Sequence, residues 1–273
     1  MRFYWILPLA VLVLAGALSG CAKPPRRHPG LIRLTYRLDA SQMSKSQKAN
    51  LEATRDQEMT ALERRADALS EGWGAHVDPV GTDEIAVVMP DVNAEHARKF
   101  LSATAKLQFF HAVNLSTDEH PSRPYSDVPA SNPDDPSVSL MDNATGKLIQ
   151  FGDPAYAKIV RQWRLILEGA DFEHASYVPA GNSYYPTFHF TPSGTRKIAK
   201  WCTTYFNIGE KLALVVDGKV LSVSPLKNGA RISSDAEVEG SFSPQYVSSL
   251  VKLVNQGCLP VPVKEVAFEH LPA

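Results

Sequence analysis

The stretch formed by residues 209–263 constrains the fold of this chain most, because its turn and breaker residues mark where each element ends. Two apolar runs, residues 212–216 and 220–223, flank Asp217 and Gly218. An Asp-Gly pair tolerates the positive φ angles of a tight turn between antiparallel strands. The pattern therefore predicts a β-hairpin with Asp217-Gly218 as its structural turn.

The same stretch then predicts a strand, a helix and an extended exit. The strand is expected at residues 230–232. Ser243 is a good N-cap, and Pro244 suits the first helical position. Apolar residues recur about every 3.6 positions along the helix, and Gly257 is the expected left-handed cap. The two prolines that follow exclude further helix, so the chain should leave in an extended conformation.

This order of elements resembles the head of the first periplasmic domain of SecD, a membrane component of the bacterial Sec preprotein translocase. The resemblance is carried by LALVVDGKVLSVSP at 212–225, GSFS at 240–243 and GCLPVPV at 257–263. Upstream, ERRADAL at 63–69 and TAKLQFF at 104–110 resemble other segments of the same family. The resemblance implies an α+β fold, with a ferredoxin-like base subdomain and an inserted α+β head subdomain. It implies no catalytic residues and no cofactor.

The predicted domain boundaries follow from this resemblance and from composition. Residues 31–110 are predicted to form the base, which residues 263–269 complete. Residues 167–262 are predicted to form the SecD-like head. Residues 111–166 should be a mobile loop and a connecting hairpin, because Ser, Asp, Asn and Pro dominate residues 114–136.

A long helix is predicted to begin near Ser44 or Ser46 and to be stopped by Gly72 and Gly74. Its apolar residues fall on one face, which should be the buried stripe. The stripe consists of Leu51, Met59, Leu62, Ala66 and Leu69. The charges of Glu63, Arg64, Arg65 and Asp67 are expected on the face exposed to water.

The amino-terminal segment has the pattern of a secretory signal. Arg2 precedes an apolar run that ends in small residues before Cys21. This ending resembles the bacterial lipobox, which predicts a lipoprotein signal peptide at residues 1–20, lipidation of Cys21 and a Pro-rich tether at 21–30. The alternative is a plain signal peptide or an anchor helix that contains a cysteine. Either interpretation predicts the extracytoplasmic, periplasmic side of the bacterial cell envelope.

Several kinds of site are not expected. The formal net charge is −1 and no basic block is present, which argues against nucleic acid as a partner. The sequence has no helical zinc spacing, phosphate loop or nucleophile elbow, so no metal or cofactor is predicted. His174 and His189 are interpreted as structural residues. Cys202 and Cys258 are interpreted as two buried thiols, the alternative being a disulfide in an oxidising compartment.

The expected function is therefore a membrane-tethered, non-catalytic module that binds polypeptide and assists protein export or envelope protein handling. Its partners would be unfolded or emerging exported polypeptides and components of the Sec translocon. The membrane helices of the SecD family are not seen in this sequence, so proton-driven pumping is not expected. Two alternatives stay open: an envelope hydrolase that uses Cys202 or Cys258 with a histidine, and a lipoprotein that binds a small ligand unrelated to secretion.

Overall fold

The computed structural model describes residues 30–70, 72–91, 93–181, 183–205, 208–226 and 234–272. The predictions for the signal peptide, for Cys21, for the tether before Gly30 and for a strand at 230–232 lie outside these residues. The predicted α+β class is confirmed, since the chain alternates helices with antiparallel sheets.

The strands and helices are numbered in chain order. The strands are β1 Leu31–Leu38, β2 His76–Val80, β3 Glu84–Pro90, β4 Leu107–His111, β5 Tyr125–Val128, β6 Ser139–Asp142, β7 Leu148–Ile149, β8 Arg164–Glu168, β9 Phe172–Ala180, β10 Ser183–Phe190, β11 Lys211–Val216, β12 Lys219–Pro225, β13 Asp235–Glu237 and β14 Val263–Leu271. The helices are α1 Lys45–Ala49, α2 Leu51–Leu69, α3 Ala94–Ser102, α4 Pro154–Val160, α5 Pro192–Thr204 and α6 Pro244–Asn255.

The base is built on one four-stranded sheet with the strand order β14-β1-β3-β2. Alternate residues of β1 are buried, which places one face of the sheet against α2 and α3. Along the chain the base reads β-α-α-β-β-α-β, with α1 and α2 both between β1 and β2. The whole head is inserted between α3 and β14, so the last strand of the base comes from the far end of the chain.

The long predicted helix is divided in two at Asn50, which caps α1 and precedes α2. The buried face of α2 also differs from the predicted stripe. It consists of Thr54, Glu58, Ala61, Leu62, Arg65, Ala66 and Leu69. Leu51 and Met59 are only partly buried. Arg65 has no exposed surface, so the prediction that it faces water is wrong.

The core of the head lies between two sheets and two helices. The four-stranded sheet has the order β12-β11-β4-β8, and the three-stranded sheet has the order β13-β10-β9. Helices α5 and α6 pack into the same apolar cluster. At its centre the ring of Phe109 contacts Phe172, Phe188 and Phe190 at centroid distances of 5.7–6.2 Å.

Within residues 111–166 the predicted hairpin is confirmed, since β6 pairs with β7, but the segment before it packs on the head instead of forming a free loop. Residues 111–166 contribute the sheet β5-β6-β7 and helix α4, which pack on the second face of the β12-β11-β4-β8 sheet. Leu115 has no exposed surface. The guanidinium of Arg123 binds both oxygens of buried Glu210, at 2.7 and 2.5 Å. Burial raises the pKa of Glu210, but hydrogen bonds from Arg123 and His111 outweigh it and hold the pKa at about 2. This segment is therefore anchored to the head by a buried ion pair.

The two cysteines of the head are not joined in a disulfide. Cys202 is buried on α5, as predicted for a thiol in the core. Cys258 is exposed, so the prediction of a buried thiol is wrong at this position. Its Sγ donates a hydrogen bond to the carbonyl oxygen of Ala105 at 2.9 Å.

Candidate functional site

The chain passes between base and head twice. The outgoing crossing is formed by residues 103–106, between α3 and β4, and the return crossing by residues 256–262, between α6 and β14. The crossings lie side by side, since the Leu259 amide donates to the Thr104 carbonyl at 3.0 Å. Helix α6 spans the boundary, because Leu250 packs in the head core while Leu253 packs in the core of the base.

Arg65 of α2 ties the two crossings together from the base side. Its Nη1 donates to the carbonyl oxygens of Leu101, at 3.2 Å, and Ala103. Its Nη2 donates to the carbonyl oxygen of Gly257 at 2.7 Å. Burial lowers the pKa of Arg65 to about 10, so the guanidinium stays charged at neutral pH. A single cation therefore binds the end of α3, the outgoing crossing and the return crossing.

Asp217 holds the outgoing crossing from the head side. The φ angles of Asp217 and Gly218 are 51° and 79°, as a type I′ hairpin turn requires. The Asp217 carboxylate accepts hydrogen bonds from the Thr104 hydroxyl, from the Ala105 amide at 3.2 Å and from the Lys106 amide at 2.8 Å. Ala105 has a φ of 57°, which is unfavourable for a residue with a side chain. The turn carboxylate therefore stabilises a strained backbone in addition to closing the hairpin.

Glu58 is the second buried ionisable residue of α2. Its Oε1 accepts a weak hydrogen bond from the Val261 amide of the return crossing, at 3.4 Å. Its Oε2 has no partner among the described residues. Burial raises the pKa of Glu58 to about 8, so this carboxyl is protonated at neutral pH. The junction therefore contains a charged arginine and a neutral glutamic acid on one helix face.

An apolar cleft of about 550 Å³ opens beside this junction, between α3 and α6. Its apolar lining includes Phe100, Phe151, Val216, Tyr246, Leu250 and Leu253. Phe151 stands at the rim with 46% of its surface exposed. The rim carries both positive and negative side chains. Lys219 forms an ion pair with Asp135 at 2.8 Å. The Nζ of Lys219 also lies 5.1 Å from the centroid of the Phe151 ring. A volume of this size is in the range of ligand sites, about 300–1,000 Å³.

The floor of the cleft is apolar, and its rim carries charged side chains. Within the described residues, no group of three His, Cys, Asp or Glu side chains could hold a metal ion. The thiol of Cys258 lies at the junction but donates to a backbone carbonyl. His111 is engaged by Glu210 at 2.9 Å. Such a cleft can accept apolar side chains on its floor. Its rim carries both charge signs, so it does not favour ligands of one net charge.

The residues singled out from the sequence are only partly brought together. Asp217 and Cys258 meet at the junction, where they bind the amide and the carbonyl of Ala105, whereas Cys202 lies in the head core. Gly218 follows Asp217 in the hairpin turn. His174 and His189 stack across β9 and β10 with centroids 4.1 Å apart. Glu58 was not predicted as a site residue, and Arg65 was predicted on the wrong face of its helix. Their seven-residue spacing puts both on one helix face, but nothing local shows that this face is buried.

The described residues include no helix that is long and apolar enough to cross a membrane. This finding concerns the chain from Gly30 onward, with the gaps given above.

Comparison with known proteins identifies relatives of this architecture. The family model described as "SecDF, P1 head subdomain" matches residues 146–261. Protein translocase subunit SecD of Aquifex aeolicus is 27% identical over 196 residues, which cover 69% of this chain and 34% of that protein. SecD of Acetobacter pasteurianus is 26% identical over 249 residues, which cover 88% of this chain and 41% of that protein. The chain thus spans less than half of the length of these two relatives.

Two solved structures share the fold. SecDF in its super-membrane-facing form matches 90% of this chain and 32% of its own, with a TM-score of 0.61 and 20% identity. A second structure, of a SecDF described as a membrane component that enhances protein export, matches 88% of this chain and all of its own, with a TM-score of 0.60 and 22% identity.

Proposed function

We propose, on the premise that the chain is built as a SecD periplasmic P1 domain with base and head, that it is a non-catalytic module that binds unfolded polypeptide. The observation that carries the proposal is the apolar cleft between α3 and α6. Unfolded chains expose apolar side chains that folded proteins bury, and an open apolar cleft accepts them with little regard for sequence. The binding is therefore expected to be weak and unselective.

The proposed setting is the bacterial envelope, with emerging exported polypeptides and components of the Sec machinery as partners. The support for these partners is the similarity to SecD translocase subunits. The mixed charge at the rim of the cleft favours no single charge sign in the ligand. Binding should therefore depend only mildly on salt.

The test is a fluorescence anisotropy titration of the chain with a reduced, unfolded exported protein and with the same protein folded. Only the unfolded form should bind. Ser249→Trp places an indole in the cleft. It should weaken the affinity for the unfolded protein by about tenfold or more, which corresponds to a loss of ~1.4 kcal/mol of binding free energy. Ser249 lines the cleft, whereas the neighbouring Ser248 does not. Ser248→Trp is therefore the matched control and should bind normally.

Three results would contradict the proposal. Equal affinity for the folded and unfolded forms would show that the cleft does not recognise exposed apolar segments. Equal loss in the Ser248 and Ser249 variants would place binding elsewhere. Loss of binding after alkylation of Cys258, which lies at the junction but not in the lining of the cleft, would favour the thiol hydrolase instead.

The proposed anchor is a lipid on Cys21, a residue outside the described part of the chain. Lipid chains contribute about 0.8 kcal/mol per buried CH₂ group, so several chains hold a protein firmly on a membrane. Cys21→Ser should abolish incorporation of labelled fatty acid and leave an unprocessed precursor. Cys258→Ser is the control and should be labelled like the wild type. Normal labelling of the Cys21 variant would exclude this anchor.

A further inference from the structure

We propose that the outer edge of β9 at Tyr177 binds the main chain of an extended polypeptide segment, which pairs with it as an added strand. This inference rests on the proposed function and assigns it a second contact surface besides the cleft. Main-chain pairing at a sheet edge gives affinity without sequence selectivity. It would therefore suit a module that receives many different unfolded chains.

The edge of β9 already pairs with an amide group at one position. β9 is the end strand of the sheet β13-β10-β9. The side chain of Asn255 accepts from the Ala175 amide at 2.7 Å and donates to the Ala175 carbonyl at 2.9 Å. A primary amide thus supplies one donor and one acceptor, as a peptide group of an added strand would do.

The Asn255 contacts also fix the direction of the next main-chain groups. The N–H and C=O of Ala175 point away from β10, and these groups alternate in direction along an antiparallel strand. The pairing of β9 with β10 is regular from Ala175 to Pro179. Tyr177 therefore also points its N–H and C=O outward. Pro186, opposite Tyr177, agrees with this direction, since it has no N–H and its carbonyl accepts from Val238 on the other side.

The available edge is short and its surroundings are apolar. Asn255 covers the edge at Ala175, and Pro179 supplies no N–H two residues beyond Tyr177. Tyr177 and Val178 are 46% and 37% exposed. The ring of Tyr177 meets that of Tyr184 at a centroid distance of 5.3 Å. Such an edge matches a few residues of an extended apolar segment, whereas a long edge would invite uncontrolled pairing between copies.

Helix α6 separates the edge from the cleft. Five of its residues line the cleft from one helix face: Gln245, Tyr246, Ser249, Leu250 and Leu253. Asn255, at the end of the same helix, covers the edge of β9 from the other face. The two surfaces would therefore bind separate segments of an unfolded chain, the cleft through side chains and the edge at Tyr177 through the backbone.

The experiment compares two synthetic peptides of one apolar sequence, one unmodified and one N-methylated at alternate residues. N-methylation removes backbone donors and leaves the side chains intact. The unmodified peptide should bind the wild-type chain about threefold to tenfold more tightly, the effect of one or two hydrogen bonds. Tyr177→Pro removes the outward N–H, at an edge position where proline is tolerated. This variant should bind the unmodified peptide about threefold to tenfold more weakly than the wild type does. Its affinities for the unmodified and the N-methylated peptide should therefore be closer to each other.

Tyr177→Ala is the matched control, because it removes the side chain and keeps the N–H. It should retain the discrimination between the peptides. Circular dichroism and thermal melting establish whether Tyr177→Pro folds, and if it does not, the peptide pair still tests the wild-type chain. Equal wild-type affinity for both peptides would overturn the inference. If Ser249→Trp abolishes polypeptide binding while N-methylation has no effect, the proposed function stands and the edge inference fails.

A second copy of the chain is the competing occupant of this edge. Light scattering would reveal it as a dimer that Tyr177→Pro dissociates. Such a dimer, together with equal binding of both peptides, would also overturn the inference.

Discussion

Replacing Arg65 with methionine should lower the free energy of unfolding by about 3–5 kcal/mol. Methionine fills much of the same volume but leaves the carbonyl oxygens of Ala103 and Gly257 without their donor. Buried acceptors that lose their partner cost about 1–3 kcal/mol each. Chemical denaturation followed by circular dichroism would measure the loss.

Arg64→Met is the matched control, because Arg64 is the exposed neighbour of Arg65 on the same helix. This variant should unfold within about 0.5 kcal/mol of the wild type. Lys106 is an exposed trypsin site in the outgoing crossing, whose amide is held by Asp217. Trypsin should therefore cut after Lys106 faster in the Arg65 variant than in the Arg64 variant. Equal stability of the two variants would show that the guanidinium does not hold the crossings.

Replacing Glu58 with glutamine should flatten the dependence of stability on pH. Burial raises the pKa of Glu58 from 4.5 to about 8 in the folded chain. Between these values the unfolded chain releases a proton that the folded chain keeps, so the wild type loses about 1.4 kcal/mol of stability per pH unit from this group. From pH 5 to pH 8 this amounts to about 4 kcal/mol, which the glutamine variant should not lose. Denaturant titrations at several pH values would measure both curves.

Glu63→Gln is the control for this prediction, because Glu63 lies exposed on the same helix. Exposed substitutions away from packed contacts change stability by about 0.5 kcal/mol or less, so this variant should stay close to the wild-type curve. Parallel curves for the Glu58 variant and the wild type would show that Glu58 is ionised in the folded chain. The comparison relies on slopes, since the amide of glutamine itself changes the stability at every pH.

The junction and the cleft share a residue, which links the two. Asp217 lines the cleft, and its carboxylate also accepts hydrogen bonds from the Thr104 hydroxyl and from the amides of Ala105 and Lys106. A ligand that displaces the Asp217 side chain would release the outgoing crossing. The stability of the junction and the occupancy of the cleft are therefore expected to influence each other.

The local sequence determined where a helix or strand begins and ends when a turn-forming or capping residue sets that position. Strands β11 and β12 flank the Asp217-Gly218 turn, as the two apolar runs and the Asp-Gly pair predicted. Helix α6 begins after Ser243, whose side chain accepts from the Tyr246 amide, and Gly257 follows it with a φ of 85°. These features depend on a few neighbouring residues, so they can be predicted without knowing what packs against them.

Tertiary structure decided the features that depend on partners far along the chain. Strand β9 was missed, and its edge is covered by Asn255, which lies 80 residues away from Ala175. The run from Ala213 to Val215 is buried on both faces because residues 111–166 pack on the second face of its sheet.

The buried charge of Arg65 on α2 illustrates the reason most clearly. The local sequence pattern predicts Arg65 on the solvent-exposed face of α2. In the folded chain the two crossings between base and head cover the Arg65 side chain. The carbonyl oxygens of Ala103 and Gly257 replace the water that the guanidinium would otherwise bind. A charge can be buried where such partners are provided, and these partners come from 38 and 192 residues away in the chain. Pattern alone cannot predict them.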